Sequence, residues 1–405
     1  MATRRSHTKS RSGCRDCKRR KVKCDEAYPS CFNCNRHGLV CSLLTSKKPA
    51  ANIALHRSSS TPSTDDQGLD ICYKLLDVAV DRTKIPPPAP PIDFWGHGLE
   101  LMHHFSVVTA NSTSIRPDMQ YVWRVIFPEI AYDSPFLMHG ILTLAALHKA
   151  HLIPSERERY IELATSHQNS GLAGFRALLH TIDDGNWKPF FCFASIVVFY
   201  VSSLPVCMDS EAKPESDIFS IFVFIRGVRV ILEPFQKQLK NTIFAPLSYG
   251  VWIIEEDDPM YLHPALHRSP LPRDVFEALK DLSTFFQETV EEHRRDKYAD
   301  ATKELEKAVY LMAHAGANIE FGMVLFWPYI ISDSIIADIQ ATTPHAMVLL
   351  AYYAVFLRIL EPGFWFMRGW STRLFAKVDE HLAGHPAFLE AVKWPREQVF
   401  ERYAQ

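Results

Sequence analysis

From about residue 95 onward the chain repeats apolar residues every third or fourth position, the spacing that lines one face of an α-helix. Between Glu156 and Leu179 the repeat runs through Tyr160, Leu163, Ala164, His167, Phe175, Leu178 and Leu179. The same spacing predicts helices near Phe136 to Ala150, Pro189 to Leu204, Ile218 to Leu232, Pro272 to His293, Ala299 to Ala315, Met323 to Ile339, His345 to Leu360 and Thr372 to Leu382. Strand signals are sparse. Residues 95–405 are therefore expected to form one large all-α domain with its helices stacked in layers. The stretch from Pro189 to Met208 carries no charge and invites a membrane reading. Its two prolines bound a short core diluted by Ser202 and Ser203, so it reads as a buried central helix and no membrane span is expected. Trp365 and Trp370 bracket Arg368 and read as core rather than as a pocket wall.

Upstream the periodicity stops. Ser42 to about Ser63 is short of aromatics and rich in Ser, Pro and Lys, and reads as a flexible linker. Residues 69–82 place Leu69, Cys72 or Tyr73, Leu76 and Ala79 or Val80 like a and d positions over fewer than two heptads. A pairing helix that makes a homodimer is one reading, and a helix docked on the body is the preferred one. The proline-rich "KIPPPAPPID" cannot be helix and ends the 42–94 linker as an extended spacer.

Charge divides the chain at the same place. Residues 1–48 hold 13 Lys or Arg against 3 Asp or Glu, a net of +10, and the remainder holds 31 against 43, a net of −12. A small basic head on a large acidic body favours a polyanion as the head's partner. The first 13 residues form a basic arm with no apolar segment of the kind a secretory signal needs, and no apolar face of the kind a transit peptide needs. An intracellular chain is expected, and its thiols are expected to stay reduced.

Six of the nine cysteines fall in residues 14–41. Cys14, Cys17 and Cys24 are repeated 17 residues later as Cys31, Cys34 and Cys41, which predicts two similar loop-and-helix units related by a pseudo-twofold. Zinc prefers four thiolates in a tetrahedron. Two ions on six sulfurs require two shared ligands, so the spacing suits a binuclear cluster with two Zn2+ per chain. Being closed, such a site is structural and not catalytic. The rivals are one ion held by Cys14, Cys17, Cys31 and Cys34, or a disulfide cluster. Cations crowd the first unit alone: Arg15, Lys18, Arg19, Arg20, Lys21 and Lys23, against Arg36 and a neutral His37 in the second. Such a run supplies phosphate contacts and side chains able to reach guanine O6 and N7 in the major groove. It also suits nuclear import.

This stretch resembles the fungal Zn2Cys6 binuclear-cluster DNA-binding domain. The resemblance implies that Cys14 and Cys31 are the bridging ligands and that Pro29 turns the loop between the halves. It implies that Arg20 and Lys21 face the groove, that Lys18 and Lys23 touch phosphate, and that Val22 packs inward against the cluster, with Arg19 harder to assign. A CGG-like G/C-rich half-site in double-stranded DNA follows, in a nuclear transcription factor acting with the transcription machinery on RNA polymerase II genes. A second resemblance, carried by "LELMHHFSVVTA", "FLMHGILTLAALHKAHL", "CFASIVVFYV" and "FMRGWSTRLF", links the body to Zn2Cys6 proteins related to the fungal sterol uptake regulators. It implies a helical regulatory domain, with a sterol or other apolar ligand as one expectation. His103, His104, Cys72, Cys192 and Cys207 form no spaced ligand set and no nucleophile–base pair, and no phosphate loop or dinucleotide fingerprint is present. No enzymatic activity is expected.

Overall fold

The computed structural model describes residues 14–20, 22, 24, 42, 94–208, 220–239, 242–244 and 266–401. They fall in two compact units, within residues 1–61 and 62–405. The linker reading and the 69–82 helix lie outside the described residues. In the first unit one helix, α1 (Arg15–Arg20), begins one residue after Cys14.

The second unit is all-α, as its periodicity predicts, and no strand occurs among the described residues. It opens with α2 (94–112) and α3 (117–131), both interrupted by wide π turns, at Phe94–Gly98 and Phe105–Thr109 in α2 and at Val122–Ile126 in α3. Pro128 lies just beyond the last of these and has no N–H to return to residue 124, so the ladder widens ahead of it. Then come α4 (Pro135–Leu152), α5 (Arg157–Leu178), α6 (Trp187–Cys207) and α7 (Ser220–Leu232). The carboxy-terminal half contains α8 (Val275–Thr289), α9 (Glu292–Ala315), α10 (Phe321–Ile330), α11 (Asp333–Gln340), α12 (Pro344–Leu360) and α13 (Trp370–Leu382), followed by α14 (Pro386–Ala391) and α15 (Lys393–Phe400).

Three helices, α4, α6 and α12, are apolar nearly all round and form the centre. α4 packs between α5 and α6, and α12 packs against α13 and α15. α6 is long and apolar enough to cross a bilayer, yet most of it is buried inside the protein. Its Ser202 and Ser203 hydroxyls donate back to Val198 O and Phe199 O at 2.8 and 2.7 Å, and Ser202 O accepts from Trp370 Nε1 at 2.8 Å. The polar atoms that dilute the apolar run are thereby satisfied without water. Trp365 and Trp370 are core residues, whereas Arg368 is exposed.

Close approach of α4, α5 and α6 depends on two glycines. A Cβ on Gly171 would stand 2.7 Å from the Phe193 ring, and one on Gly140 would stand 2.9 Å from it. Phe193 therefore enters a slot that any larger residue would fill.

Two expectations need correction. Leu178 is exposed, not part of the α5 stripe, because the helix tightens into a 3-10 turn at Leu179–Thr181 that brings Leu179 inward in its place. The helix expected over 323–339 is two helices, α10 and α11, meeting at 98°. Ile331 and Ser332 are extended, and the Arg226 guanidinium of α7 donates to Tyr329 O at 3.0 Å and Ile331 O at 2.9 Å while pairing with Asp333. A cation from another helix thus satisfies the carbonyls that α10 leaves open at its end.

Histidines are buried where α2, α4 and α5 meet. His139 Nδ1 and His167 Nδ1 are 2.8 Å apart, and His148 Nδ1 lies 3.1 Å from Thr109 Oγ1. Burial, reinforced by neighbouring histidines, pulls His167 down to about 4 and His148 down to about 3. Groups with depressed folded pKa values bind protons better in the unfolded chain, so their stabilisation is complete above roughly pH 6.5 and drains away as pH falls toward 4 and then 3. Urea unfolding of the protein is expected to show a midpoint at pH 5 well below that at pH 7.5, with His167→Gln reducing the difference. Equal midpoints would contradict it.

Candidate metal centre and nucleic-acid interface

Cys14 and Cys17 sit one turn apart at the start of α1, so both thiols project from one side, and the chain after the helix brings Cys24 back to them. All three are buried, and their sulfurs lie within 4.8 Å of one another. Sulfurs sharing a zinc ion at about 2.3 Å would stand roughly 3.8 Å apart, so the three fit one ion. The Cys17 amide donates to Cys14 Sγ, and the Cys14 amide donates to Cys24 Sγ, both at 3.3 Å. Amide donors of this kind stabilise thiolate charge. Cys31, Cys34 and Cys41 lie outside the described residues. Ser42, next to Cys41 in sequence, is described: its hydroxyl accepts from the Arg15 amide at 2.7 Å. One N–H that a helix start leaves unpaired is thus satisfied by a residue 27 positions away.

On α1 the face away from Cys14 and Cys17 carries the charge. Arg15, Lys18 and Arg19 are exposed and Arg20 is half-buried; Lys21 and Lys23 lie outside the described residues. The expectation that Val22 packs inward is not met, since it is 39% exposed. α1 ends at Arg20, and the Val22 amide reaches back five residues to Cys17 O at 3.1 Å, so the helical register that would turn this side chain toward the sulfurs does not continue. Arg19, left unassigned by sequence, stands with Arg15 opposite the cysteines. The signal for it was helical phase, which becomes usable once the ends of α1 are fixed.

Within the body, a cavity of about 110 Å3 lies between α3, α6, α7 and α10, walled by residues such as Trp123, Phe191, Phe199, Ile225 and Phe326. Its one buried carboxylate, Glu320, accepts from the Ile115 amide at 2.9 Å, the Arg116 amide at 2.6 Å and Ser114 Oγ at 3.2 Å. Burial nevertheless raises its pKa, against the lowering effect of those bonds. His104 contacts the His148 ring at 5.3 Å, His103 is exposed, and Cys192 and Cys207 are buried in the core. Among the described residues no further group of three ligand atoms converges as the three thiols do.

Residues 12–50 match the fungal Zn(2)-Cys(6) binuclear cluster domain, and residues 100–199 match the fungal specific transcription factor domain. A Zn(2)-C6 fungal-type transcription factor of Gibberella zeae is 25% identical over 90% of this chain and 80% of its own length. The Zn(2)-C6 fungal-type transcription factor afumD of Aspergillus fumigatus is 32% identical over 37% of this chain and 35% of its own. Sterol uptake control protein 2 of Candida albicans is 46% identical over 12% of this chain and 8% of its own. Both domain models thus match within one chain, and the relatives that match it are Zn(2)-C6 fungal-type transcription factors and a sterol uptake control protein.

Proposed function

We propose that residues 14–41 form a binuclear cluster in which two Zn2+ ions are held by Cys14, Cys17, Cys24, Cys31, Cys34 and Cys41, with Cys14 and Cys31 shared. The cluster presents α1 to the major groove of a CGG-like half-site. Zinc there is structural: it fixes the helix, and the side chains of this chain do the reading. The observation that carries the proposal is that Cys14, just before α1, and Cys17 within it are buried against Cys24, while Arg15, Lys18 and Arg19 of the same helix are exposed. Arg20 and Lys21 are assigned to guanine, and Lys18 and Lys23 to phosphate, with Arg19 on the outward face beside them. The basic arm 1–13 adds phosphate contacts, the 42–94 linker joins the head to the body at 95–405, and the chain works in the nucleus on RNA polymerase II genes, as one copy or as a homodimer.

The test is a pair of titrations against a CGG site and its scramble. Lys21→Ala is expected to cost about 1–3 kcal/mol at the matched site and to erode discrimination. Lys18→Ala is expected to weaken both duplexes alike and to lower the salt slope by about 1. Equal behaviour of the two variants would overturn the assignment of roles.

A second reading makes the body a sensor of an apolar ligand such as a sterol. The cavity beside Glu320 and the resemblance to the sterol uptake control proteins support it. At about 110 Å3 the cavity is smaller than the roughly 300–1,000 Å3 of drug-sized sites, so a sterol would enter only by parting α6, α7 and α10. Ligand bound to the folded state alone raises the melting temperature. Ergosterol that left it unchanged would remove this reading.

A further inference from the structure

The cavity between α3, α6, α7 and α10 holds about 110 Å3, and most of the residues around it are apolar. Its polar oxygens are largely engaged. Thr113 Oγ1 donates to Ala110 O at 2.8 Å and Ser195 Oγ to Phe191 O at 2.9 Å, while the Glu320 carboxylate takes the three donors of residues 114–116. What stays open is a set of donors. Trp123 lines the cavity and is 1% exposed, and its indole Nε1 is buried and donates to nothing among the described residues. The ring is packed against those of Phe127 and Phe199, with centroids 4.2 and 4.8 Å away, so the N–H cannot swing out to water. α10 begins on the same wall. Glu320, Phe321 and Gly322 line the cavity, and the Phe321 and Gly322 amides, which a helix start leaves without a carbonyl, have no partner among the described residues. A buried donor without an acceptor is destabilising, so these groups call for an oxygen that a ligand brings in.

From these features we infer that the cavity binds a small neutral molecule with a compact apolar body and one oxygen acceptor, of the ketone, ester or cyclic-ether class. The inference rests on the reading of the body as a ligand sensor, and it assigns that sensor a ligand far smaller than a sterol. An apolar cavity of about 150 Å3 holds one benzene ring, so about five or six non-hydrogen atoms fit here without parting the helices. The apolar body packs on Phe199, Ile225 and Phe326, and the oxygen accepts from Trp123 or from the start of α10. Other ligand classes fit worse. An anion meets the Glu320 carboxylate in an apolar space. A cation meets the positive end of the α10 dipole, and the one carboxylate near it already takes three donors. A hydrocarbon leaves the indole N–H and the α10 amides unpaired. A ligand held there touches α3 and α10 at once, and so couples the amino-terminal helices of the body to the carboxy-terminal ones.

The experiment titrates the full zinc-loaded chain calorimetrically with cyclopentanone, and with cyclopentane, cyclopentylamine and isobutyrate as probes of similar size that lack the acceptor or carry a charge. Saturable binding of cyclopentanone is expected, at least tenfold tighter than that of any of the other three. Trp123→Phe is expected to weaken cyclopentanone at least fivefold and cyclopentane less than twofold, a split that a mere change of shape would not produce. Val198→Phe, which puts a ring into the space, is expected to abolish cyclopentanone binding. The comparison among the four probes needs no variant and stands even where a variant is poorly folded. Cyclopentanone and cyclopentane binding alike would overturn the proposal, as would no saturable binding of cyclopentanone, or binding that survived Val198→Phe. Ergosterol separates this inference from the reading beneath it: a rise in melting temperature with ergosterol, beside no binding of cyclopentanone, would keep the sensor and remove the small ligand.

Discussion

Cys24→Ser is expected to abolish specific DNA binding, with a loss of at least a hundredfold in affinity for the CGG site and a fall in bound zinc below two per chain. A domain of about 40 residues buries too little apolar surface to hold itself together, so metal takes the place of a core. Structural zinc in such small units supplies roughly 10–16 kcal/mol of folding free energy, nearly all of what keeps the fold. Cys24 is the residue that returns the chain to α1: its thiol is buried and accepts the Cys14 amide at 3.3 Å. A serine hydroxyl stays protonated near neutral pH and is a poor zinc ligand, so the loop beyond α1 loses its anchor and α1 its fixed orientation. Metal content by elemental analysis and anisotropy titrations read the two effects together. A variant that kept its affinity and one zinc would instead support a single ion held by Cys14, Cys17, Cys31 and Cys34. Exhaustive chelation of the parent protein is expected to reproduce the loss, and added zinc to reverse it.

Phe193→Ala is expected to be the most damaging single truncation in the body, at about 3–5 kcal/mol. Phe193 is fully buried at the junction of α4, α5 and α6. Its ring lies 5.0 Å from that of Phe175 in a stacked pair and 5.6 Å from that of Phe136 edge-on, and its outer edge fills the slot above Gly140 and Gly171. The two glycines have no side chains with which to refill the space, and the three helices are held apart by their other contacts, so a cavity remains. Set against a typical total stability of about 5–15 kcal/mol, the loss is a large fraction, and the melting temperature should drop by roughly 10 °C. Gly171→Leu is expected to be as harmful for the opposite reason, because its side chain would occupy the volume of the Phe193 ring. A thermal scan in which either variant melted within 2 °C of the parent would show that the junction relaxes.

Much of the body was legible because a buried helix writes its face into the sequence. α5 shows this, with Tyr160, Ala164, His167 and Phe175 buried as their spacing requires. Reading failed where an element's end decided the outcome. Leu178 has the right spacing and is exposed because α5 ends there, and Val22 follows the same rule beyond α1. The stacking of Tyr352 on Trp394 gave no sequence signal, because the two rings come from distant segments and neither segment has a motif of its own.

The sequence by itself determined the two-part plan, the cysteine repeat, the crowding of cations into the first repeat and the helical nature of the body, because each depends on spacing or charge along the chain. Tertiary structure alone decided the bend between α10 and α11, which Arg226 caps from α7, the neutrality of His148 and His167, and the meeting of Tyr352 with Trp394. Those features depend on which distant groups share a buried space, and one-dimensional spacing carries no record of that.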